Sequence, residues 1–504
     1  MTTIRRAAAL AAMVGLSGCL VGPDYQRPDA PAPAAYKEAW KPGPQEKGWA
    51  PGRPNDAIDR GAWWSIFRDP VLDKLERQID ISNQNLKAAE ASFREAEALV
   101  TEAQAGLFPT LDAAASAVRS RSSGSTFGSG NISNTFRTTL NASWVLDLWG
   151  SVRRQIEAST ASAQASAATL ANARLAAQAS LATAYMQLRV ADELQRLLSA
   201  SVKAFTQALQ IVTNQYKSGT ADQSAVDQAR AQLEGTKAQL IAVGVSRAQF
   251  GHAIAVLTGK PPAELSIAPV ETVVAVPLIP PELASVLIER RPDVAAAERD
   301  MAVANARIGV DVAAFYPTVT LTGDYGVQSS MLRKLFTASS RVWSFGSDLA
   351  QTILDGGLNN AKVEADKAAY DLAVANYRQI VLTAFQQVED ELAAERILNQ
   401  QAQAEDAAVA AARSAEKTIN NQYLAGTQAY TAVIVAETTA LNDAVQAVNI
   451  RQSRLVASIA LIEALGGGWD SSQLPGPEKI ESDVPLNFNP LPPTFPPGSL
   501  NAPK

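Results

Sequence analysis

Hydrophobic and polar residues alternate in four separate segments of this chain. Within residues 135–148, Phe136, Leu140 and Trp144 fall on one side of an extended chain, and Asn141 falls on the other. A period of two residues is typical of a β-strand with one apolar and one polar face. The pattern therefore predicts a strand here whose two faces meet different surroundings.

The same alternation recurs, less regularly in places, in residues 111–118, 319–327 and 343–353. The four segments predict two β-hairpins with Ser- and Gly-rich loops at their tips. Each predicted strand has about ten residues, the length of a tilted transmembrane β-strand. The edge of a soluble β-sandwich is the alternative interpretation.

Large aromatic residues lie near the ends of these segments. Trp and Tyr concentrate at the two membrane–water interfaces, and aromatic residues form girdles around transmembrane barrels. We therefore predict an aromatic girdle that includes Trp144, Trp149, Trp343 and Phe345.

A helical pattern follows each hairpin. Residues 151–218 and 358–425 contain neither Gly nor Pro, are rich in Ala and Ser, and are 68 residues long. A helix of that length spans roughly 100 Å and cannot fit inside a compact domain. Shorter segments follow at 220–258 and 427–465, and another precedes the first hairpin at 71–105. We predict that each long helix runs antiparallel to two shorter helices laid head to tail.

These segments belong to an internal repeat. Pro109 and Pro317 are 208 residues apart, and "NQYKSGT" at Asn214 recurs as "NQYLAGT" at Asn421, 207 residues further on. A constant spacing of this kind indicates a duplicated unit. The predicted boundaries are 62–260 and 261–468, each unit with a helix, a hairpin, a long helix and a return helix.

The N-terminus has the features of a secretory signal. Residues 1–18 contain Arg5 and Arg6 followed by an apolar run, and the sequence "LSGC" places the only cysteine, Cys19, directly after small residues. This pattern resembles a bacterial lipobox, in which the cysteine is acylated; an ordinary signal with an unrelated cysteine is the alternative. We predict a lipidated Pro-rich linker at 19–61 and a Pro-rich tail at 469–504.

The composition limits the chemistry that the chain can perform. The net charge is −6 and the sequence lacks basic blocks, which argues against nucleic-acid binding. One His and one Cys cannot form a metal site, and no nucleophile and base converge in any motif. We therefore expect neither an enzyme nor a cofactor.

The strand count has its own consequence. Four strands cannot close a membrane barrel, because the smallest single-chain barrels have eight. Open sheet edges are not tolerated in lipid, since their backbone groups lack hydrogen-bond partners. Two copies would give eight strands with an interior filled by side chains, whereas three give twelve and begin to leave a lumen. Long helices with water on two faces favour the larger assembly, a homotrimer.

Several motifs together resemble the outer membrane efflux protein family, and specifically the channel lipoproteins of tripartite resistance-nodulation-division (RND) efflux pumps. They are "GPDYQRP", "WWSIFRDPVLDKL", "SWVLDLWGSVRR", "ERRPDVAAAE", "FYPTVTLTGDYG", "ILDGG" and the paired "QY..GT" turns. The resemblance implies an α+β membrane protein: a trimeric channel with a 12-stranded transmembrane β-barrel, four strands per chain, continuous with a long periplasmic α-helical barrel.

The resemblance also implies a function and partners. The protein is expected to be anchored by lipid in the cell outer membrane and to conduct small molecules such as drugs passively to the exterior. Its expected partners are outer-membrane lipid, a periplasmic adaptor (membrane fusion) protein and an inner-membrane RND pump. A type I secretion channel for proteins or peptides shares the architecture and remains an alternative, as does a structural lipoprotein with coiled-coil arms.

In the family, the two "QY..GT" turns lie at the periplasmic tips. The residues implied in adaptor contact are Gln215, Tyr216, Gly219, Thr220, Gln422, Tyr423, Gly426 and Thr427. Helix capping alone is the alternative role for each.

The family often closes this tip with an acidic ring, but Val435 stands here where an Asp is common. The candidate gate residues are Asp222, Asp227, Val435 and Glu437, and the sequence leaves open a charged ring or an apolar plug.

Overall fold

The structure is a computed structural model that describes residues 20–30, 33, 35–38, 62–121, 132–270, 274–277 and 290–481. The predicted signal peptide, Cys19, most of the predicted linker and the end of the predicted tail lie outside the described residues.

Four strands form one antiparallel sheet in the order β1-β2-β3-β4. Their bounds are β1 Thr110–Arg121, β2 Ile132–Leu146, β3 Thr318–Ser329 and β4 Arg341–Ala350. Both predicted hairpins are confirmed, and pairing between β2 and β3 joins them across the repeat. Three of the strands exceed the predicted ten residues, β2 having 15.

The strand register sorts side chains onto two faces. Leu140 lies opposite Tyr325, and Tyr325 lies opposite Trp343. Directly opposite residues share a face of the sheet, so these three side chains project to one side. Asn141 and Asp324, which are also opposite each other, project to the other side. The predicted apolar and polar faces therefore extend across the sheet.

Eight α-helices are present in the described residues. Their bounds are α1 Pro70–Ser82, α2 Gln84–Ala105, α3 Ser151–Lys217, α4 Gln223–Leu257, α5 Pro292–Ala313, α6 Leu358–Leu424, α7 Tyr430–Ala464 and α8 Pro477–Glu481. The two long helices, α3 and α6, have 67 residues each, in agreement with the prediction.

The helices pack side by side in an elongated layer. Helix α3 contacts α2 and α4 of its own repeat, and it also contacts α5 and α7 of the second repeat. Helix α6 contacts α5 and α7. Each long helix is therefore covered by two shorter ones, as predicted, and α3 additionally joins the two repeats.

The prediction of one helix over 71–105 is wrong, because the helix is interrupted at Asn83 and two helices, α1 and α2, form instead. This residue has an extended conformation (ψ 121°), and its side-chain oxygen accepts a hydrogen bond from the backbone N–H of Leu86, 3.0 Å away. Asn83 thus caps the start of α2. Its side-chain NH₂ also donates to the carbonyl oxygen of Leu257 at 2.8 Å. The break is where the return helix α4 meets the α1–α2 pair.

The head-to-tail junction requires a very close approach of two backbones. A Cβ atom on Gly259 (φ 68°) would lie 2.1 Å from the carbonyl oxygen of Ser82. In the second repeat, a Cβ atom on Gly466 (φ 90°) would lie 2.0 Å from the carbonyl oxygen of Arg290. Only glycine fits either position, so both repeats stack their short helices end to end in the same way.

Two terminal segments lie on the surface of the helical layer. Residues 20–30 and 35–38, which we call the N-terminal strap, cross from α3 to α6: the Tyr25 hydroxyl donates to Glu298 on α5 at 2.6 Å, and Glu38 pairs with Arg396 on α6 at 2.5 Å. At the other end of the chain, the side-chain amide of Gln104 donates to the carbonyl oxygen of Glu481 at 3.0 Å. The predicted tail includes the short helix α8, which packs against α2 and α3.

The largest apolar cluster of the described residues includes residues of α1 and of the middle of α3, and the acidic residue Glu76 lies on α1 among them. Glu76 is fully buried, and neither carboxyl oxygen has a hydrogen-bond partner among the described residues. Burial raises the pKa of Glu76 to about 9, and the negative charge of Asp80 adds to the shift. The carboxyl group is therefore neutral in the folded protein at pH 7.

We predict that Glu76 makes the fold less stable as the pH rises. The pKa of a Glu in the unfolded chain is about 4.3, so the contribution of Glu76 to stability is fully present below that pH and is lost as the pH rises to about 9. Because the folded state holds one more proton across this window, the free energy of unfolding falls by about 1.4 kcal/mol per pH unit. Thermal unfolding followed by circular dichroism between pH 5 and pH 9 measures the effect.

Glu76→Gln is expected to remove most of this dependence, because the amide stays neutral throughout. Glu95→Gln changes an exposed residue on α2 and serves as the control. An unchanged pH dependence in Glu76→Gln would contradict the assignment.

Candidate functional site: the sheet and the helical tips

The apolar face of the sheet is exposed in the single chain. Trp343 and Phe345 lie near the loop end of β4, with ring centroids 5.8 Å apart, and Phe345 is 78% exposed. Trp144 lies near the helix end of β2, where its indole N–H donates to the carbonyl oxygen of Leu107 at 3.0 Å. Large aromatic side chains therefore lie near both ends of this face.

Trp149, the fourth residue of the predicted girdle, follows β2 and does not belong to the sheet. Its ring stacks on Tyr316 with centroids 4.8 Å apart, and its N–H donates to the carbonyl oxygen of Pro317 at 2.8 Å. Trp149 thus ties the end of the first hairpin to the start of the second, at the boundary between sheet and helices. A girdle role for these four residues stays a prediction.

The opposite face of the sheet carries polar side chains along its length. Asp112 lies opposite Asn141, and Asn141 lies opposite Asp324. The hydroxyl of Ser344 on β4 donates to Asp324 at 2.8 Å. One row across all four strands therefore offers carboxylate, amide and hydroxyl groups, which suits contact with water.

At the far end of the helical layer, α3 turns into α4 through a Schellman motif. The backbone N–H of Gly219 (φ 76°) donates to the carbonyl oxygen of Tyr216 at 3.0 Å, and that of Thr220 donates to Gln215 at 2.8 Å. These two bonds satisfy carbonyl groups that the end of a helix leaves unpaired. The positive φ of Gly219 is the conformation that favours glycine just after the end of a helix.

The turn from α6 into α7 repeats this geometry. Gly426 (φ 73°) donates to the carbonyl oxygen of Tyr423, and Thr427 donates to that of Gln422, both at 2.9 Å. The glycines and threonines of both turns therefore have a capping role. Adaptor contact by any of the eight predicted tip residues stays a prediction.

The two tips are joined within one chain by a contact that the sequence did not reveal. The Tyr423 hydroxyl donates to the side-chain oxygen of Gln215 on the other tip. The Tyr423 ring also lies against Tyr430, with centroids 5.4 Å apart. The equivalent tyrosine of the first tip, Tyr216, is 45% exposed. The repeated "QY" pairs are thus alike in sequence but not in role.

An apolar cluster lies beneath this hydrogen bond. Its buried members come from both tips and are Val212, Val226, Ala229, Tyr430 and Val433. The end of the helical layer is therefore held together by packing as well as by the Tyr423–Gln215 contact.

The four candidate gate residues have different surroundings. Asp222 precedes α4 and makes no side-chain capping bond, while Asp227 is exposed and accepts a hydrogen bond from Gln223 at 3.1 Å. Val435 is 65% exposed. Only Glu437 is substantially enclosed, and one of its carboxyl oxygens is buried without a hydrogen-bond partner among the described residues.

The position of Glu437 changes its acidity. Burial raises its pKa to about 7, and the nearby carboxyl group of Glu416 on α6 adds to the shift. The pKa of Glu416 is itself raised by burial, an effect that Arg413 opposes. The carboxyl group of Glu437 is therefore near its titration point at neutral pH.

Within the described ranges, no group of three or more His, Cys, Asp and Glu side chains could hold a metal ion. One helix in the same ranges, α4, is long and apolar enough to cross a membrane by composition. However, α4 packs along α3 and is tied at both ends, to the tip at Gly219 and to the junction at Asn83.

Comparison with known proteins gives consistent results. The family model described as "Outer membrane efflux protein" matches residues 76–260 and 283–467, one segment in each repeat. The toluene efflux pump outer membrane protein TtgF of Pseudomonas putida is 31% identical over 92% of this chain and 97% of its own length. The probable outer membrane lipoprotein SilC of Salmonella typhimurium is 28% identical over 90% and 96%.

A solved structure has the same fold. The outer-membrane channel OprN matches with a TM-score of 0.82 and 28% identity, over 90% of this chain and all of that chain. The predicted resemblance is therefore confirmed: the chain belongs to the outer membrane efflux protein family.

Proposed function

We propose that three copies of this chain form the outer-membrane exit duct of a tripartite RND-type efflux system. The observation that carries the proposal is the four-stranded sheet, which has one apolar face, one polar face and two free edges. A sheet of this kind suits the wall of a membrane channel, with lipid on one side and water on the other.

The free edges support the trimer. Strands β1 and β4 each pair with a single neighbour in the described chain. In lipid their unpaired backbone groups would each cost several kcal/mol, so β4 of one copy must pair with β1 of the next. Three sheets closed in this way give a twelve-stranded barrel.

The helical layer has matching edges. On α4, the apolar residues Ile241, Val245 and Val256 are exposed, and on α6 so are Leu372 and Ile397. Exposed apolar side chains in two separate edge helices suit contact with neighbouring copies. The helices would then close into a barrel continuous with the strands.

The N-terminal strap supports lipid anchoring. Leu20, the first described residue, lies against Gly150, and the backbone N–H of Val21 donates to the carbonyl oxygen of Trp149 at 3.2 Å. Cys19 precedes Leu20, so its acyl chains would start at the boundary between sheet and helices. From there the strap crosses the helical layer to Arg396. This course suits an anchor in the same membrane as the barrel.

The names of the relatives support a proposal for the cargo, and the position of the tips supports one for the partners. TtgF is named as part of a toluene efflux pump, which favours small lipophilic compounds as cargo. The far tips would meet the periplasmic adaptor, and the inner-membrane pump would supply the energy. The lumen of the duct would conduct passively.

Deletion of the gene is expected to make the host more susceptible to lipophilic antibiotics, dyes and solvents by about tenfold or more, because their exit path is lost. Minimum inhibitory concentrations, with plasmid complementation, measure this effect. Secreted protein profiles of the same strains provide the control. Unchanged susceptibility together with lost protein secretion would favour a type I secretion channel instead.

We further propose that the Tyr423–Gln215 contact keeps the tip closed. Tyr423→Phe removes the hydroxyl that joins the two helical hairpins but leaves the ring packed on Tyr430. The purified channel is expected to conduct several-fold more in planar bilayers at rest. Tyr216→Phe changes the equivalent, exposed tyrosine and should conduct as the wild type does. Equal conductance of all three proteins would contradict this role.

Glu437 is proposed to make the tip sensitive to pH. Its neutral form fits the enclosed site, whereas ionisation above about pH 7 places a second negative charge near the carboxyl group of Glu416. We expect resting conductance to rise between pH 6 and pH 8 in the wild type and to stay low in Glu437→Gln.

Asp227→Asn, which alters an exposed carboxylate near the same tip, should keep the wild-type pH dependence. A pH dependence that persists in Glu437→Gln would assign the effect to other groups.

A further inference from the structure

The charged residues of the sheet are divided unequally between its two faces. The four strands contain seven of them: Asp112, Arg119, Arg121, Arg137, Asp324, Arg341 and Asp348. The register places all three aspartates and Arg137 on the polar face. The remaining three arginines lie on the apolar face, where no strand residue carries a negative charge.

The register establishes this placement directly. Arg121 lies opposite Ile132, and Arg119 is two residues before it on the same face. Arg341 is two residues before Trp343 on β4 and therefore shares its face. All three arginine side chains are exposed. The apolar face thus carries only positive charge.

These arginines occupy one end of the face. Arg341 is the first residue of β4, and Arg119 and Arg121 are among the last three of β1, so all lie at the end remote from the helices. The helix end of the same face has apolar residues such as Leu111 and Leu349 and no charge within the strands. In the proposed orientation, the charged end lies at the outer surface of the membrane.

The loop that precedes β4 continues this composition. Phe336 is 82% exposed and Leu332 is also exposed, beside the basic residues Arg333 and Lys334. Exposed apolar and basic side chains therefore lie together in the loop that leads into β4.

Trimer closure would bring the three arginines together. β1 and β4 are the opposite edges of the sheet in one chain, so Arg341 is remote from Arg119 and Arg121 there. When β4 pairs with β1 of the next copy, the loop ends of both strands meet on the same face. The basic site is thus complete only at the seam between two subunits, and this step rests on the proposed trimer.

We infer that each seam binds a phosphorylated lipid of the outer leaflet. Guanidinium groups bind phosphate through paired hydrogen bonds, and no acid on this face competes for them. The acyl chains would lie along Trp343, Phe345 and Leu349, below the arginines. A zwitterionic lipid lacks the excess negative charge that three arginines favour.

The experiment uses the purified full-length trimer in detergent, with bound lipid counted by native mass spectrometry. The probe is a bisphosphorylated lipid A. The same lipid with its phosphates removed, and inorganic phosphate alone, form the other arms. We expect up to three lipids per trimer with the first probe only. Displacement of that lipid by millimolar inorganic phosphate would assign the site to free phosphate and overturn the inference.

Arg341→Gln is expected to weaken lipid binding by about tenfold, because it removes one charge-assisted contact from each seam. Arg137→Gln removes the same charge from the polar face and should bind lipid as the wild type does. The triple variant Arg119→Gln/Arg121→Gln/Arg341→Gln should retain no phosphate-dependent binding. Size-exclusion chromatography with light scattering confirms that each variant is assembled, and if the triple variant does not assemble, Arg341→Gln and Arg121→Gln carry the comparison.

The outcomes separate this inference from the proposed function. A wild-type protein that stays monomeric would overturn the trimer, and the seam site with it. A stable trimer that binds the lipid equally well with and without phosphates, or equally well in Arg341→Gln and Arg137→Gln, would overturn the lipid site alone.

Discussion

The requirement that every backbone N–H and C=O group in lipid has a hydrogen-bond partner governs this molecule. Each chain pairs four strands and leaves the outer edges of β1 and β4 open. Because an open edge is costly in hydrocarbon, the chain reaches a stable membrane state only with its neighbours. The duplicated sequence serves the same requirement, since each repeat supplies one hairpin and the β2–β3 pairing joins the two. The sheet that results has an apolar face for lipid and a polar face for water.

The helical layer solves a different problem, which is length. Helices of 67 residues reach far beyond any compact core, so their stability must come from neighbours along their whole course. Two shorter helices cover each long one. They meet where Gly259 lies against the backbone of Ser82 and where Gly466 lies against that of Arg290. A side chain at either glycine would force these ends apart. The short helices therefore meet end to end where a glycine permits a close junction, and the N-terminal strap crosses the layer from α3 to α6.

Periodic features of the fold could be predicted from the sequence, because periodicity reports which face of an element is buried. The two hairpins, the long helices and the positive φ of Gly219 and Gly426 follow from local pattern and spacing. The break at Asn83 was missed because a single Asn within a helical pattern carries little signal; its role depends on a partner, Leu257, that is 174 residues away. The buried position of Glu76 was also missed, because its burial depends on packing against α3, which is distant in the sequence. Individual long-range contacts cannot be deduced from one sequence without an alignment.

The tips show how a duplicated sequence acquires different contacts in its two copies. Both turns retain the same capping bonds, because a helix must end in the same way wherever it reverses. Their tyrosines nevertheless differ, since Tyr423 bonds across to Gln215 while Tyr216 remains exposed. The enclosed carboxyl of Glu437 is likewise on the second hairpin, whereas the first hairpin carries the exposed Asp222 and Asp227. In the proposed channel, motion that opens the tip would therefore have to break the Tyr423–Gln215 contact and separate the apolar side chains that the two hairpins pack together.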